Sequence, residues 1–252
     1  MLTDGPNHLT RSVFDFSDHV AAQREIVQIG HVDDRGDHSD VVALLAGCAH
    51  PSQHAPAPSG GAAARHVDPA NIRRVRRDLP PGYEVTTVSD MTAPPGIWGL
   101  GGAGVATPPR CAALADPAGG HGQAPQGISG SGPGGTVYAV VVAAPTGPLA
   151  LNQSLVAQCR QWSMTGRRAS ARVHLVDAPR IDGAETLGMA AEVVTSVEGG
   201  NEIRSRASTF TAYLGDYYAF TTLISDPGSP DAALTPQFAA DLLVKTVSAL
   251  RG

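Results

Sequence analysis

The chain has a single lysine, Lys245, against seventeen arginines. Twelve aromatic residues, three cysteines and a charged fraction of only 16% complete the list of scarcities. Each of these absences narrows the function. The formal net charge is −5, and it is unevenly placed. Residues 1–47 hold eight acidic side chains and three arginines, whereas residues 48–252 balance at fifteen of each sign. A neutral main body has no basic field for nucleic acid and no polybasic patch for an anionic membrane surface. Uncharged apolar runs fall well short of the ~18 residues that a membrane-spanning helix needs. No internal repeat is visible. The arginine bias with abundant Ala, Gly and Pro marks a GC-rich genome and carries no structural meaning.

The motifs that would define an enzyme are also missing. Gly99-Leu100-Gly101-Gly102-Ala103-Gly104 matches G-x-G-x-x-G. Prolines precede it at 94 and 95 and follow it at 108 and 109, so it lacks the strand before and the helix after that a dinucleotide site requires. Ser129 and Ser131 sit among glycines without the G-x-S-x-G spacing. The acidic cluster His31, Asp33, Asp34, Asp37 and His38 matches no fixed ligand spacing and reads as a solvated loop. No catalytic residue, metal site or cofactor is expected.

What is present is a short stretch, Leu44-Leu45-Ala46-Gly47-Cys48, that reads as a lipobox with Cys48 as the lipidated residue. Ala49 to Ala64 is a run of Pro, Ser, Gly, Ala and His without hydrophobic period, the composition of a flexible tether. The expected organisation is therefore a leader at 1–47, a tether at 48–66 and one globular domain at 67–252. The leader is atypical. Its apolar run is only Val41 to Ala46, and an acidic flank precedes it, where a signal peptide carries a basic region and roughly 7–15 apolar residues. Either a true leader is missing from the N-terminus, or the match is chance and the protein is soluble. One helical pattern, Val13 to Ile29, precedes this region.

Within the domain, Asp68 and Pro69 start a short amphipathic helix through Ile72, Val75 and Leu79. Arg73, Arg74, Arg76 and Arg77 lie on its outer faces as a solvated surface, and Pro80-Pro81-Gly82 ends it. Tyr83 to Val88 alternates as a strand. Residues 90–135 are Gly- and Pro-rich, with one helical turn near Cys111 and a mobile surface loop over Gly119 to Gly135. Thr136 to Ala144 is the strongest strand, apolar on both faces and so central. Val137, Ala139 and Val141 are expected on one face and Tyr138, Val140 and Val142 on the other. A helix is expected over Asn152 to Met164, a strand over Ala171 to Val176, and a short helix or irregular connection over Ala184 to Ala191. Glu192–Val197, Glu202–Leu214 and Tyr217–Ser225 read as strands joined by hairpin turns. Thr235 and Pro236 begin a C-terminal helix with Phe238, Ala239, Leu242, Leu243, Val247 and Leu250 on its apolar stripe. The fold class is α+β: an antiparallel β-sheet with helices packed on it.

Apart from Cys48, the cysteines are Cys111 and Cys159. Outside the membrane they should form a disulfide; in a cytosolic protein they would be two buried thiols. Trp98 and Trp162 are candidates to line a ligand pocket, and by default they belong to the core. An enzyme would have to draw on His121 or His174 as base with Asp116 or Asp177 nearby, and nothing pairs a nucleophile with them.

The lipobox with its tether, Pro108-x-x-Cys111-Ala112-Ala113-Leu114-Ala115-Asp116-Pro117, Cys159 near Trp162, and Tyr217-Tyr218-Ala219-Phe220-Thr221-Thr222-Leu223 before a terminal helix carry a family resemblance. Residues 67–252 resemble the uncharacterised domain shared by mycobacterial lipoproteins, which is related to the extracellular sensor domain of PknH-type serine/threonine kinases. Two departures stand out: the acidic leader, and one cysteine pair where the kinase domain uses two disulfides. The resemblance implies an α+β fold with a cleft for a ligand and supplies no catalytic residues. The expected function is a lipid-anchored, non-enzymatic cell-envelope protein that binds a small ligand or partner protein near 90–135. It would be held on the extracytoplasmic face of the membrane as a monomer, without nucleic acid. An extracytoplasmic hydrolase and a structural protein without ligand or anchor are the alternatives.

Overall fold

The computed structural model describes residues 66–101, 104–225 and 234–252. Cys48, most of the tether, the acidic His/Asp cluster and the Val13–Ile29 helix lie outside the described residues. A 3₁₀ helix, Pro69–Asp78, opens the domain. Then follow β1 (Glu84–Val88), α1 (Pro94–Ile97), β2 (Val105–Thr107), a 3₁₀ turn at Pro109–Cys111 and α2 (Ala112–Ala115). β3 (Gln123–Gly132), β4 (Gly135–Ala143), α3 (Gln153–Gln158), β5 (Gln161–Thr165) and β6 (Ala169–Val176) come next. β7 (Glu185–Ser196), β8 (Glu202–Tyr213), β9 (Tyr217–Ser225) and α4 (Pro236–Arg251) complete the chain. Among the described residues no helix is long and apolar enough to cross a membrane.

The strands form one antiparallel sheet in the order β1-β3-β4-β9-β8-β7-β6-β5-β2. Its two faces are covered at opposite ends. On the first face, α4 and the opening 3₁₀ helix pack over β3, β4, β9 and the second half of β8. Ile72, Val75, Val137, Ala139, Val141, Phe210, Ala212, Ala219, Leu242 and Leu243 form that core. On the second face, the segment between β1 and β3 packs over β8, β7, β6, β5 and β2. There Trp98, Leu100, Leu114, Trp162, Met164, Val173, Met189 and Val193 are buried together. The central strands are covered on both sides. Val140, Val142, Tyr218 and Phe220 are buried on the second face, opposite Val137, Ala139 and Val141. The unbroken apolar run of β4 thus has the two-faced burial its sequence implies.

Four local expectations are corrected. The helix predicted over Asn152–Met164 stops at Gln158. Asn152 caps it by accepting from the Leu155 N–H at 3.1 Å, as expected of an N-cap. Beyond Cys159 the buried residues are Trp162 and Met164, two apart, in register with Val173 and Ala171. Period-two burial beside a partner strand overrides the helical spacing of Leu155, Cys159 and Trp162. The same cause makes all of Ala184–Ala191 beyond Ala184 part of β7, with Leu187, Met189, Ala191 and Val193 alternating inward. The opening helix is 3₁₀, and its buried Ile72 and Val75 are three apart, the 3₁₀ repeat.

The fourth correction concerns Gly119–Gly135. Most of it is β3, paired on both sides. Its glycines permit close packing. A Cβ on Gly132 would lie 2.4 Å from the Tyr83 ring, and one on Gly127 would lie 2.7 Å from the Ala139 carbonyl oxygen. Tyr83 Oη then accepts from the Gly134 N–H at 3.1 Å.

Candidate functional site

The covering segment of the second face is held at three points. Trp98 is 3% exposed, and its Nε1–H donates to Thr209 Oγ1 at 3.2 Å, which in turn shares a hydrogen bond with Thr222 Oγ1 at 3.0 Å. Cys111 and Cys159 form a disulfide, with Cα atoms 5.6 Å apart and both residues buried. It fastens the 109–115 turns to the end of α3 beside β5. Third, the Tyr218 hydroxyl of β9 donates to the Thr92 carbonyl at 2.5 Å.

Between these fastenings lies a cleft of about 340 Å³. Asp90, Met91, Thr92, Pro95, Asp116 and Met164 are among its lining, together with glycine and alanine residues, and among the described residues no cationic side chain lines it. Asp116 follows α2, and its own N–H donates to the Ala112 carbonyl at 2.9 Å. Pro117 ends the helix, and Gly119 and Gly120 take the left-handed backbone (φ +58° and +83°) that turns the chain back. That turn brings the amides of Gly120, Ala118 and Gly119 and the exposed His121 toward the carboxylate. They favour its charged form. Burial outweighs them and raises the Asp116 pKa above its ordinary 3.8. Asp116 Oδ1 is buried and has no hydrogen-bond partner. Burial, with the Asp116 charge adding to it, also drives the Tyr218 pKa well above the tyrosine range, so its hydroxyl stays a neutral donor.

The residues singled out in the sequence are placed unevenly around this cleft. Trp98 and Trp162 are each 3% exposed in the second-face core and do not line it. Asp116 lines it, and His121 is close enough to feel its charge. His174 is exposed on β6, opposite Gln161 and Ala190 on the other face of the sheet. Asp177 is exposed beyond the end of β6. Among the described residues, the side-chain hydroxyl in the lining belongs to Thr92, with no serine or cysteine there. Sequence reasoning missed Asp90, Met91, Thr92, Met164 and Tyr218. The usable signal was Asp116-Pro117-Ala118-Gly119-Gly120, a helix stop followed by glycines that can turn amides toward a carboxylate. Among the described residues no group of three or more His, Cys, Asp or Glu side chains is arranged to hold a metal ion.

These features define a class: a single antiparallel-sheet domain with a C-terminal helix on one face and a disulfide-fastened cleft segment on the other. The chain belongs to the family described as "Domain of unknown function (DUF5642)", which matches residues 68–251. Its fold is similar to the X-ray structure of an uncharacterised protein from Mycobacterium smegmatis, the Rv0999 ortholog. The identity is 21% and the TM-score 0.53, over 75% of this chain and all of that one. No curated protein matches the chain.

Proposed function

We propose that the chain is a lipid-anchored cell-envelope protein, tethered through Cys48 on the extracytoplasmic face of the membrane. In this reading it binds a small ligand in the Asp116 cleft without turning it over. The observation that carries the binding half is the buried, unpartnered Asp116 Oδ1 at the edge of a 340 Å³ cleft. A buried acceptor left unsatisfied costs about 1–3 kcal/mol, and a ligand donor would remove that cost. With Asp90 and Asp116 as its charges and Met91, Pro95 and Met164 as its apolar walls, the cleft suits a ligand with an apolar body and an amine or hydroxyl end. The Cys111–Cys159 disulfide fits an oxidising compartment, and the sensor-like role follows from the kinase-domain resemblance.

The test of the cleft uses n-hexylamine and n-hexanol as probes on isotope-labelled protein. Amide shifts are expected at Thr92, Ala112 and Gly120. Asp116→Asn should weaken the amine at least about tenfold, the loss of one charge-assisted hydrogen bond. Shifts that ignore the substitution, or turnover of an ester, peptide or glycan that vanishes on replacing one Ser, His or Asp, would overturn the binding reading. For the anchor, metabolic palmitate labelling behind a working leader should disappear in Cys48→Ala. Label that survives the substitution refutes it.

A further inference from the structure

The two covers of the sheet are offset, and among the described residues this leaves part of the first face bare. α4 and the opening 3₁₀ helix cover β3, β4, β9 and the second half of β8. Val176 at the end of β6 and Ala178, Ile181 and Ala184 beyond it also pack into that core. Over β5, the first half of β6, the second half of β7 and the first half of β8, the same face is open among the described residues. Its rows follow from the register. Ser163, Arg172, Glu192 and Arg206 stand side by side across four strands, and Thr165, Ser170, Val194 and Arg204 form the next row. All of these are exposed except Val194, which is half-buried. Ser163, Thr165, Ser170, Arg172, Glu192 and Arg204 line a hollow of about 320 Å³.

We propose that this bare sheet face binds a sugar bearing a phosphate group. Arg172 and Arg204 line its hollow, and Arg206 stands in register beside Glu192 on the same face. A guanidinium presents a planar fork of donors that matches a phosphate, and it stays charged at any physiological pH. Neighbouring strands lie about 4.8 Å apart, so Arg172 and Arg206 are rooted about 10 Å from each other on either side of β7. Both can then reach a group held over Glu192. The register sets Glu192 between these arginines, yet neither is within 4.0 Å of it; the ion pair on this face is Arg204–Glu202 at 3.9 Å, with both side chains largely exposed. Arg172, Arg206 and Glu192 are thus not locked into a ladder of their own. A bare anion site would gain nothing from Glu192, which repels phosphate. A sugar changes this: the carboxylate accepts from a pair of sugar hydroxyls, while Ser163, Thr165 and Ser170 offer hydroxyls of either polarity. Val194 supplies a small apolar floor for the C–H face of a ring.

The experiment titrates the isotope-labelled full chain with glucose 6-phosphate, glucose and inorganic phosphate at about 0.15 M ionic strength, where exposed charges are strongly screened. Glucose 6-phosphate is expected to shift the amides of Ser163, Ser170, Glu192 and Arg204 with a Kd below about 1 mM. Glucose and phosphate alone should each bind at least about tenfold more weakly. Arg172→Gln and Arg204→Gln, both exposed, should each weaken the sugar phosphate about tenfold while leaving the melting temperature unchanged. Glu192→Gln should narrow the gap between sugar phosphate and bare phosphate, and Asp116→Asn should have no effect. Inorganic phosphate binding as tightly as the sugar phosphate, no shifts at about 10 mM ligand, or shifts centred on the Asp116 cleft would overturn the proposal.

Discussion

Removing the Cys111–Cys159 disulfide, by reduction or as a Cys111→Ala/Cys159→Ala double variant, should destabilise the domain substantially. The two residues are 48 apart in sequence. In the chain-entropy treatment, a closed loop of that size restricts the unfolded chain by about 4 kcal/mol at 25 °C. For a domain of 150–250 residues, each kcal/mol moves the melting temperature by about 2–4 °C, so the loss should be about 8–16 °C. Alanine is chosen because Cys111 and Cys159 are 1% and 0% exposed, and a serine would bury a hydroxyl there. The assay is urea unfolding with and without reductant, fitted for midpoint and slope together. The midpoint should fall. The slope should rise or stay constant, because the reduced unfolded chain exposes at least as much surface. Native-state hydrogen exchange should speed up first at Ala112–Asp116, the turns that the bridge fastens beside the cleft. Unchanged midpoints under full reduction would refute the reasoning, since they mean either that the bridge does not form or that its loop is already constrained in the unfolded chain.

The remaining predictions use the same domain. Val140→Asp and Val141→Asp each place a charge at a fully buried position on opposite faces of β4. Each should cost about 4 kcal/mol or more and give little or no folded protein by thermal melting. Gly132→Ala should destabilise by about 1–3 kcal/mol, read as a lower denaturation midpoint, because its Cβ would enter the Tyr83 ring that holds β3 from above. Asp116 has a folded pKa above its unfolded one, so its stabilising contribution is complete below pH 3.8 and is lost as pH rises through the folded pKa. The stability of wild type relative to Asp116→Asn, measured by urea unfolding across that range, should therefore fall with rising pH. A difference that is flat or rises would show that the amides of the turn, and not burial, dominate.

The parts of the fold that could be read in advance are those where local pattern and tertiary demand agree. β4 shows this. An apolar run too short to span a membrane and flanked by turns has to be covered on both sides, and its neighbours β3 and β9 do so in register. α4 carries its cap position, its proline and its apolar stripe in one segment, even though the Thr235 side chain makes no capping hydrogen bond. Reading failed where a residue type had two physical uses. Gly127, Gly130 and Gly132 look like loop residues, yet they clear space for Ala139, Leu79 and Tyr83. Leu155, Cys159 and Trp162 fit a helical stripe, whereas Trp162 and Met164 equally fit a strand. The choice between them was made by Val173 and Ala171 on the next strand, which offered a backbone to pair with.

The cleft was less legible than the fold for a related reason. Its chemistry comes from Asp116, whose protonation is set by burial, and burial is not local. Nothing in Ala115-Asp116-Pro117 says that Tyr218, about a hundred residues on, will sit close enough for its hydroxyl to feel that carboxylate. Nor does anything there say that Thr92 will be pinned by the same hydroxyl. The sheet makes that connection, because β9 is a central strand and the covering segment must cross it to reach β2 at the far edge. The offset covers follow from the same topology. A C-terminal helix leaving β9 returns over the β4 side of the first face, and the β1–β3 connection crosses the second face toward β2. Neither covers the first face over β5, the first half of β6 and the second half of β7. A face that no described element covers has to be polar, and its polarity can be serine and threonine alone. Here it includes Arg172 and Arg204 on a hydroxyl-lined hollow, with Arg206 in register beside Glu192. Solubility asks for charge but not for that grouping, and the grouping makes the bare face a second place to look for a ligand.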